Sequence, residues 1–299
     1  MSVVVLGGAN VDLKARSKGA VVAATSNPGT ACLTPGGVGR NVAENLARLG
    51  TPVRLLTAIG NDVLGGDLLA ATARAGVDVT LIRRLEMPTG TYTAILDERG
   101  ELVVAVADML AVESLTPADV AAASDEIAAA DLVVLDGNLL PATTTAVLDV
   151  AEAAGVRVVV EPVSVPKSRR LAGVVRRPLF LLTPNAAELV ALTGLADRDA
   201  ALASLHACGV ETVWLRLGAE GSILSTADGV VELAPAAGGE VVDVTGAGDA
   251  MLAAFCHFLL AGETTEEAAR LGHAAAALTV ASSSTVRPDL SSTLVRSHA

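Results

Sequence analysis

Short runs of Val, Ile and Leu alternate along this chain with longer stretches rich in Ala and Leu. The apolar runs are residues 3–6, 53–58, 132–135, 156–160, 179–182 and 212–217. The stretches of helical character are residues 40–49, 66–75, 142–154, 186–192, 200–207, 247–260 and 266–280. Continuous apolar strands separated by helices indicate a mostly parallel sheet whose two faces are covered by helices. The sequence therefore predicts an α/β fold.

Two segments interrupt this alternation. Residues 13–34 are polar and rich in turn residues, including a Ser-Asn-Pro-Gly sequence at 26–29. Residues 88–108 alternate in a strand-like way on both sides of a turn at 97–100, which predicts a β-hairpin. We expect the two segments to form a small β-lid over one edge of a single domain, residues 1–299. The alternative is that both are ordinary surface loops.

Composition limits the partners that the protein can have. Aromatic residues make up only 2% of the 299 residues, and the net charge is −12. Few rings are therefore available to stack on bases, and the charge opposes binding to phosphate backbones, so no nucleic acid is expected. No stretch approaches the roughly 18 apolar residues of a membrane helix, so no membrane is expected either. The three cysteines and four histidines are scattered, which predicts no disulfide framework or zinc site and favours the reducing cytoplasm.

A glycine-rich segment stands directly before one of the helical stretches. It reads Val-Asp-Val-Thr-Gly-Ala-Gly-Asp-Ala at 242–250. Small residues at Gly246, Ala247 and Gly248 allow successive backbone N–H groups to point at one anion, and the helix adds the positive end of its dipole. Asp249 is placed to accept a proton from an attacking hydroxyl, so the segment indicates phosphoryl transfer. The structural alternative is a plain turn in which Asp249 caps the helix.

A second glycine-rich segment, residues 35–50, also precedes a helix. Glycines such as Gly36 and Gly37 permit close approach of the backbone to a ligand. Asn41 and Asn45, four residues apart, lie on one helix face, and an Asn side chain offers a donor and an acceptor to vicinal hydroxyls. Taken alone, the segment is more typical of a structural turn than of a binding site.

A third segment, residues 7–12, follows the first strand and contains Asn10 and Asp12. Ligands of open parallel sheets bind beyond the carboxyl ends of the strands. The Asp12 carboxylate is therefore placed to hold two sugar hydroxyls, one on each oxygen. An Asp at such a position is otherwise an ordinary turn residue.

In combination, these segments resemble the PfkB family of sugar kinases over nearly the whole chain. Residues 36–50 resemble the first signature of that family and residues 243–249 the second. Residues 183–188 resemble its Asn-x-x-Glu element, and residues 216–221 its nucleotide-binding turn. The resemblance implies a ribokinase-like three-layer sandwich with a small β-lid. It also implies a kinase that uses ATP and Mg²⁺ to phosphorylate a small sugar or nucleoside.

The resemblance further implies roles for individual residues. Asp249 becomes the catalytic base, with Gly246, Ala247 and Gly248 as the anion hole. The implied sugar contacts are Asn10, Asp12, Gly36, Gly37 and Asn41. The implied nucleotide contacts are Asn185, Arg216, Gly218, Gly221 and Thr245. The implied metal positions are Glu188, acting through water, and Asp243.

Two positions depart from the family pattern. Val244 stands where Thr usually follows the first Asp of the second signature, and Arg216 stands where the nucleotide turn commonly has a small polar residue. Both lie near the nucleotide and monovalent-cation region. In related kinases backbone carbonyls build a potassium site there, in this chain around residues 281–284, so K⁺ is a suggested activator. Lid strands of the family often pair across a dimer, which suggests a homodimer with residues 103–106 as the seam.

Several details resemble the pseudouridine-specific subgroup of the family. They are residues 7–12, 26–29, 36–41, 108–109, 136–138 and 162–164, together with Lys167. The resemblance implies phosphorylation of the 5′-hydroxyl of pseudouridine. Ser26 and Asn27 would then read the uracil from the lid, with Asn138 as a further substrate contact and Lys167 as a donor to a uracil carbonyl.

Other functions remain open. A ribokinase-like kinase of another nucleoside or a free sugar is the first alternative. A non-catalytic sugar-binding protein on the same scaffold is the second, although the presence of Asp249, Gly246 and Gly248 favours an active enzyme. A dinucleotide-dependent oxidoreductase is disfavoured because the glycine fingerprint near residue 8 is incomplete.

Overall fold

The computed structural model describes residues 1–237 and 239–299, and within them lie fourteen strands and twelve α-helices. The strands are β1 (Val3–Leu6), β2 (Asn10–Ser17), β3 (Gly29–Gly36), β4 (Val53–Leu56), β5 (Ala58–Gly60), β6 (Arg83–Leu85), β7 (Thr91–Leu96), β8 (Leu102–Asp108), β9 (Leu132–Asp136), β10 (Arg157–Glu161), β11 (Leu179–Leu182), β12 (Val210–Arg216), β13 (Ser222–Thr226) and β14 (Gly229–Leu233). The helices are α1 (Val38–Leu49), α2 (Val63–Arg74), α3 (Leu110–Glu113), α4 (Pro117–Ala122), α5 (Ser124–Ala128), α6 (Pro141–Ala154), α7 (Val165–Leu171), α8 (Ala186–Thr193), α9 (Arg198–His206), α10 (Ala247–Leu260), α11 (Thr265–Val280) and α12 (Ser292–Arg296).

The central sheet has the strand order β14-β13-β12-β11-β10-β9-β1-β4. The six strands from β12 to β4 are parallel, and β13 and β14 extend the sheet antiparallel. This order brings the carboxyl ends of β1, β9, β10 and β11 to one edge, where the candidate segments lie. The prediction of a mostly parallel sheet is confirmed.

Both faces of the sheet are buried because side chains of one strand alternate between two cores. Val3 and Val5 of β1 pack with residues of α1, α10 and α11, whereas Val4 and Leu6 pack with residues of α4, α6, α8 and α9. The arrangement is a three-layer sandwich, as predicted. None of the helices within residues 1–237 and 239–299 is both long and apolar enough to cross a membrane.

The two interrupting segments pair into one four-stranded sheet, in the order β3-β2-β7-β8. We call this sheet the lid. The first lid segment extends beyond the predicted residues 13–34 at both ends, because β2 already begins at Asn10 and β3 continues to Gly36. Asn10 and Asp12 therefore lie on a lid strand and not in a turn after β1.

Candidate active site

Asp249 lies in the first turn of α10. Gly246 precedes that helix in the left-handed region, with φ of 81°, and a Cβ there would overlap the carbonyl oxygen of Thr285. A Cβ on Gly248 would lie 2.8 Å from Nη1 of Arg216. Only glycine fits either position without displacing a neighbour. The Ala247 N–H between them donates to the carbonyl of Val244 at 3.3 Å.

The Asp249 carboxylate is held from another part of the sequence. Oδ2 of Asp249 accepts a hydrogen bond of 2.8 Å from Nδ2 of Asn41, which is in α1. The side chain does not cap its own helix, because the N-cap position belongs to Gly246. The structural alternative for Asp249 therefore does not describe its contacts, and the two signature segments meet at this hydrogen bond.

The surroundings of Asp249 disfavour its charged form. Desolvation raises the pKa of Asp249 to about 7, the Asn41 hydrogen bond opposes this rise, and the negative charge of Glu161 adds to it. Arg216 acts in the lowering direction. A carboxylate with a pKa near neutrality is suited to accepting a proton and releasing it again.

The lid contributes a second carboxylate. Asp12 is 8% exposed, and its Oδ1 accepts a hydrogen bond of 2.7 Å from Nδ2 of Asn10. Burial raises the pKa of Asp12, although Asn10, Lys14 and Arg40 lower it. A Cβ on Gly36 of the neighbouring strand would overlap the carboxylate, so glycine at this position leaves room for Asp12.

Gly37 fixes where α1 begins. Its φ is 94°, and a Cβ on it would overlap the carbonyl oxygen of Gly8. The Gly37 carbonyl accepts a hydrogen bond of 2.8 Å from the backbone N–H of Asn41. The N–H of Arg40 donates to the carbonyl of Gly8 at 3.0 Å, which holds the start of α1 against the loop after β1, and the Asn41 side chain reaches Asp249.

Asp136 connects the loops after β1 and β9 to the first turn of α1, a role that its position in the sequence did not reveal. Its Oδ2 accepts hydrogen bonds from the N–H groups of Gly8, at 2.9 Å, and Gly39, at 2.8 Å. Its Oδ1 accepts one from the N–H of Asn138 at 2.8 Å. Burial raises the pKa of Asp136. The sequence signals were an Asp at the carboxyl end of an apolar run and the resemblance of residues 136–138 to one subgroup of the family, and neither indicated these hydrogen bonds.

Asn138 and Lys167 lie together beside the loop after β1. Nζ of Lys167 donates to Oδ1 of Asn138, and Nδ2 of Asn138 would lie 2.6 Å from a Cβ on Gly8. Burial lowers the pKa of Lys167, while the charge of Asp136 raises it. The turn before α7 is strained, because the β-branched Val163 has φ of 73°.

Ser26 and Asn27 lie away from this group. They follow the end of β2, whereas Asp12 is near its start. The Asn27 amide is engaged in its own turn, accepting from the N–H of Val22 at 2.8 Å and donating to the carbonyls of Val22, at 2.9 Å, and Thr25, at 3.2 Å. The structure does not bring these two residues to the other candidate contacts, and their role in reading a base stays a prediction.

A largely apolar cavity of about 470 Å³ adjoins the turn before α10. Its lining includes Arg216, Gly218 and Gly221 on one side and Ala247 and Gly248 on the other. The predicted nucleotide turn and the predicted anion hole thus border one cavity. Its size and lining are typical of a site for a planar base with a phosphate end.

Arg216 is held in place by Glu161, which the sequence did not single out, and by Thr183. Its guanidinium donates to Oε2 of Glu161 and to the carbonyl of Thr183, and the Thr183 hydroxyl donates to the same Glu161 oxygen at 2.7 Å. This arrangement explains why Arg replaces a small polar residue here: a buried carboxylate neutralises it.

The residues expected near a metal have other partners. Asn185 and Glu188 form a capping box at the start of α8, in which each side chain accepts the backbone N–H of the other at 2.9 Å. Asp243 is paired with Lys14 at 2.9 Å, and its Oδ1 accepts from the Thr245 hydroxyl at 2.6 Å. Within the described part of the chain no group of three or more His, Cys, Asp or Glu is arranged to hold a metal.

Comparisons with known proteins agree with this geometry. The sequence profile of the pfkB family carbohydrate kinases matches residues 1–292. The pseudouridine kinase of Escherichia coli K12 is 34% identical over 97% of this chain and 93% of its own length. A solved carbohydrate kinase from Agrobacterium tumefaciens superimposes with a TM-score of 0.87 at 35% identity, covering 99% of this chain and 96% of that one. Arabidopsis thaliana ribokinase, solved with ribose and ATP, gives a TM-score of 0.84 at 25% identity, covering 99% and 97%.

Proposed function

The chain belongs to the pfkB family of carbohydrate kinases, and we propose that it transfers the γ-phosphoryl group of ATP to the 5′-hydroxyl of pseudouridine. The observation that carries the phosphotransfer reaction is the hydrogen bond between Asn41 and Asp249, beside the glycine turn before α10. This hydrogen bond joins Asn41, a proposed sugar contact, to Asp249, the proposed catalytic base, which lies next to the anion-binding turn. The substrate is inferred from the similarity to the pseudouridine kinase of E. coli and from the pairing of Asn138 with Lys167.

The mechanism is an in-line transfer. The base of ATP lies in the cavity lined by Gly218 and Gly221, and the γ-phosphate lies over the N–H groups of residues 246–248. Asp12 and Asn41 hold the ribose so that its 5′-hydroxyl faces Asp249. Asp249 accepts the hydroxyl proton as the phosphoryl group moves.

Magnesium supplies charge neutralisation on the phosphate oxygens when it is bound. Glu188 would hold such an ion through water, since one carboxylate oxygen of Glu188 takes part in the capping box and the other makes none of the hydrogen bonds found in the described residues. Asp243 holds the turn before α10 through Thr245. Potassium activation through carbonyls around residues 281–284 is part of the same proposal.

Pseudouridine presents two carbonyls and two ring N–H groups on a neutral base. The Lys167 ammonium donates to a uracil carbonyl, and the Asn138 amide completes the recognition of the base. The lid covers the substrate and excludes water during transfer, which suppresses hydrolysis of ATP. Residues 1–299 act as one kinase domain with this lid.

The test of this proposal is a substrate panel. The purified protein is incubated with Mg-ATP and K⁺ and, separately, with pseudouridine, uridine, adenosine, ribose and fructose, and ADP release and the product are followed. We expect turnover on pseudouridine to exceed that on uridine by about 100-fold, because the two bases share their carbonyls and differ in one ring N–H, and an acceptor that this N–H satisfies is left unpaired by uridine. Preferred turnover on a free sugar would contradict the nucleoside assignment and keep the kinase.

The Lys167→Met variant tests whether Lys167 contacts the uracil base of the substrate. The thioether replaces the ammonium at similar length, so kcat/KM for pseudouridine should fall on the order of 10- to 100-fold. Residual activity on ribose, which has no base, should be unchanged. Equal losses on both compounds would show that Lys167 supports the fold and does not contact the base.

The rate should depend on pH through Asp249. Because its pKa is raised to about 7, the carboxylate is protonated at acid pH and cannot accept the hydroxyl proton. We expect kcat/KM to fall about tenfold per pH unit below roughly pH 6.5 and to level off above about pH 8. Steady-state rates with saturating Mg²⁺, which keeps ATP in one protonation state, measure this profile.

Asn41→Leu provides the control for the pH profile. The Asn41 hydrogen bond lowers the pKa of Asp249, so its removal should move the midpoint to higher pH. A midpoint that does not move, or a flat profile between about pH 6 and 8, would contradict the assignment of the titration to Asp249.

The exposed edge strand β8 supports a homodimer through the lid. Leu102, Val103, Val104 and Val106 are each more than half exposed. An uncovered apolar edge strand is suited to pairing with a second copy.

The three free cysteines and the use of ATP are consistent with work in the reducing cytoplasm.

A further inference from the structure

Lys14 connects the lid to the segment that precedes the glycine turn. Its ammonium lies 2.9 Å from Oδ2 of Asp243 and 3.1 Å from Oγ1 of Thr245. Oδ1 of Asp243 in turn accepts the Thr245 backbone N–H at 2.9 Å and its hydroxyl at 2.6 Å. A lysine of β2 thus holds the residue immediately before Gly246. Burial opposes ionisation of Asp243, but the hydrogen bonds from Thr245 and Lys14 lower its pKa.

The segment that Lys14 holds has few other supports. Between the end of β14 at Leu233 and the start of α10, the described residues form no helix or strand. Val242 and Val244 are 56% and 69% exposed. Backbone N–H groups of Val242 and Asp243 donate to the carbonyl of Val280. Within residues 1–237 and 239–299, the Lys14–Asp243 contact is the only ion pair between a lid strand and this segment.

Lys14 also shares a strand face with the proposed sugar contacts. Successive side chains of a strand point to opposite faces, so Asn10, Asp12 and Lys14 lie on the same face of β2. Asp12 is two residues from Lys14, and Asn10 bonds to Asp12. A sugar that orders the Asp12 region therefore also fixes the position from which the Lys14 side chain reaches Asp243.

We propose that Lys14 is a positioning residue that couples the sugar site to the nucleotide site through Asp243 and Thr245. The inference rests on the proposed phosphotransfer. With Lys14 in place, Thr245 is fixed and the N–H groups of residues 246–248 keep their orientation toward the phosphate. Without it, the segment loosens and an unpaired Asp243 carboxylate repels the incoming phosphates. Because coupling between two sites is reciprocal, sugar binding tightens nucleotide binding and nucleotide binding tightens sugar binding.

The coupling is measured by calorimetry with AMP-PNP as the nucleotide probe, with and without the sugar or nucleoside that the substrate panel identifies. We expect the substrate to tighten AMP-PNP binding about 5-fold or more in the parent protein. In Lys14→Met this factor should drop to about one, and kcat/KM for ATP should fall about 10-fold. Affinity for the nucleoside alone should stay within about 2-fold of the parent, since Lys14 is assigned no contact with it.

Three further variants separate this role from a general effect of charge or folding. Lys18→Met removes an exposed lysine of the same lid segment and should leave the coupling intact. Lys14→Ala should regain part of its rate in ethylammonium, which restores an ammonium at the vacated place. Lys14→Met with Asp243→Asn should bind AMP-PNP more tightly than Lys14→Met alone, because the unpaired charge is gone.

The outcomes also distinguish this inference from the proposed substrate. If the panel selects a free sugar, the pseudouridine assignment fails, and the Lys14 experiment is carried out with that sugar. If the parent protein shows no tightening of AMP-PNP by its substrate, or if Lys14→Met keeps the parent coupling, the positioning role of Lys14 is overturned while the kinase assignment stands.

Discussion

Replacing Asp249 by Asn is expected to lower turnover by about 100-fold or more, with nucleoside binding close to that of the parent protein. Asn keeps the size and polarity of Asp but cannot accept the hydroxyl proton. Its amide can still meet the Asn41 side chain across the same gap. The loss should therefore appear in kcat and in kcat/KM equally, which marks an interaction made in the transition state. Single-turnover rates and calorimetry with the nucleoside measure the two effects.

The thermal stability of Asp249→Asn provides a second, independent test of the buried carboxyl. The pKa of Asp249 is raised to about 7 in the folded protein, above its value of 3.8 in an unfolded chain. The folded state therefore favours the protonated group, so the burial of this carboxyl costs stability increasingly as the pH rises from 3.8, and the cost is complete above about pH 7. Asp249→Asn removes that charge, so its Tm should exceed that of the parent at pH 8, with a smaller difference at about pH 5.

Asp197→Asn is the matched control. Asp197 is exposed and caps α9 by accepting the N–H of Ala200 at 2.8 Å, and Asn caps helices equally well. This variant should change neither turnover nor Tm. Unchanged turnover in Asp249→Asn would remove Asp249 from the role of base, and a lowered Tm at pH 8 would contradict the desolvated site.

The fold could be predicted largely because its strands are buried on both faces. Residues 3–6 and 179–182 and the helix 247–260 agree with β1, β11 and α10. The run 53–58 is instead two strands, β4 and β5, separated at Thr57, because β5 leaves the central sheet and pairs with β6. The strands β13 and β14 were not anticipated. β14 is exposed from Gly229 to Glu232, and β13, although buried from Ser222 to Ser225, contains two serines, so neither has the continuous apolar character that marked the others.

The site was predictable only where its residues are near in sequence. The turn before α10 and the start of α1 could be identified from their glycines. The Lys14–Asp243 pair joins positions 229 residues apart, and the Arg216–Glu161 pair 55 apart, so no local pattern announces either. The same limit applies to Ser26 and Asn27, which were expected to contact the uracil. They follow the far end of β2, whereas Asp12 lies near its start, so the structure does not bring them to the other proposed substrate contacts.

Gly246→Ala is expected to reduce turnover on the order of 100-fold, because displaced donors no longer meet the charge that develops on the phosphoryl group. Two effects combine in this variant. The backbone of Gly246 is left-handed, with φ of 81° and ψ of −4°, and a Cβ would overlap the carbonyl oxygen of Thr285. The left-handed strain costs about 1–2 kcal/mol, and the overlap must be relieved by moving either the turn or the loop at Thr285.

Gly194→Ala separates the two effects. Gly194 ends α8 with nearly the same backbone, φ of 74° and ψ of 5°, but a Cβ there meets no atom within 4 Å. This control should lose about 1–2 kcal/mol of unfolding free energy and keep full activity. If both variants lose similar stability and both stay active, the turn before α10 does not depend on its contact with Thr285. If only Gly246→Ala loses activity while remaining folded, the geometry of residues 246–248 is what the transferred phosphate requires.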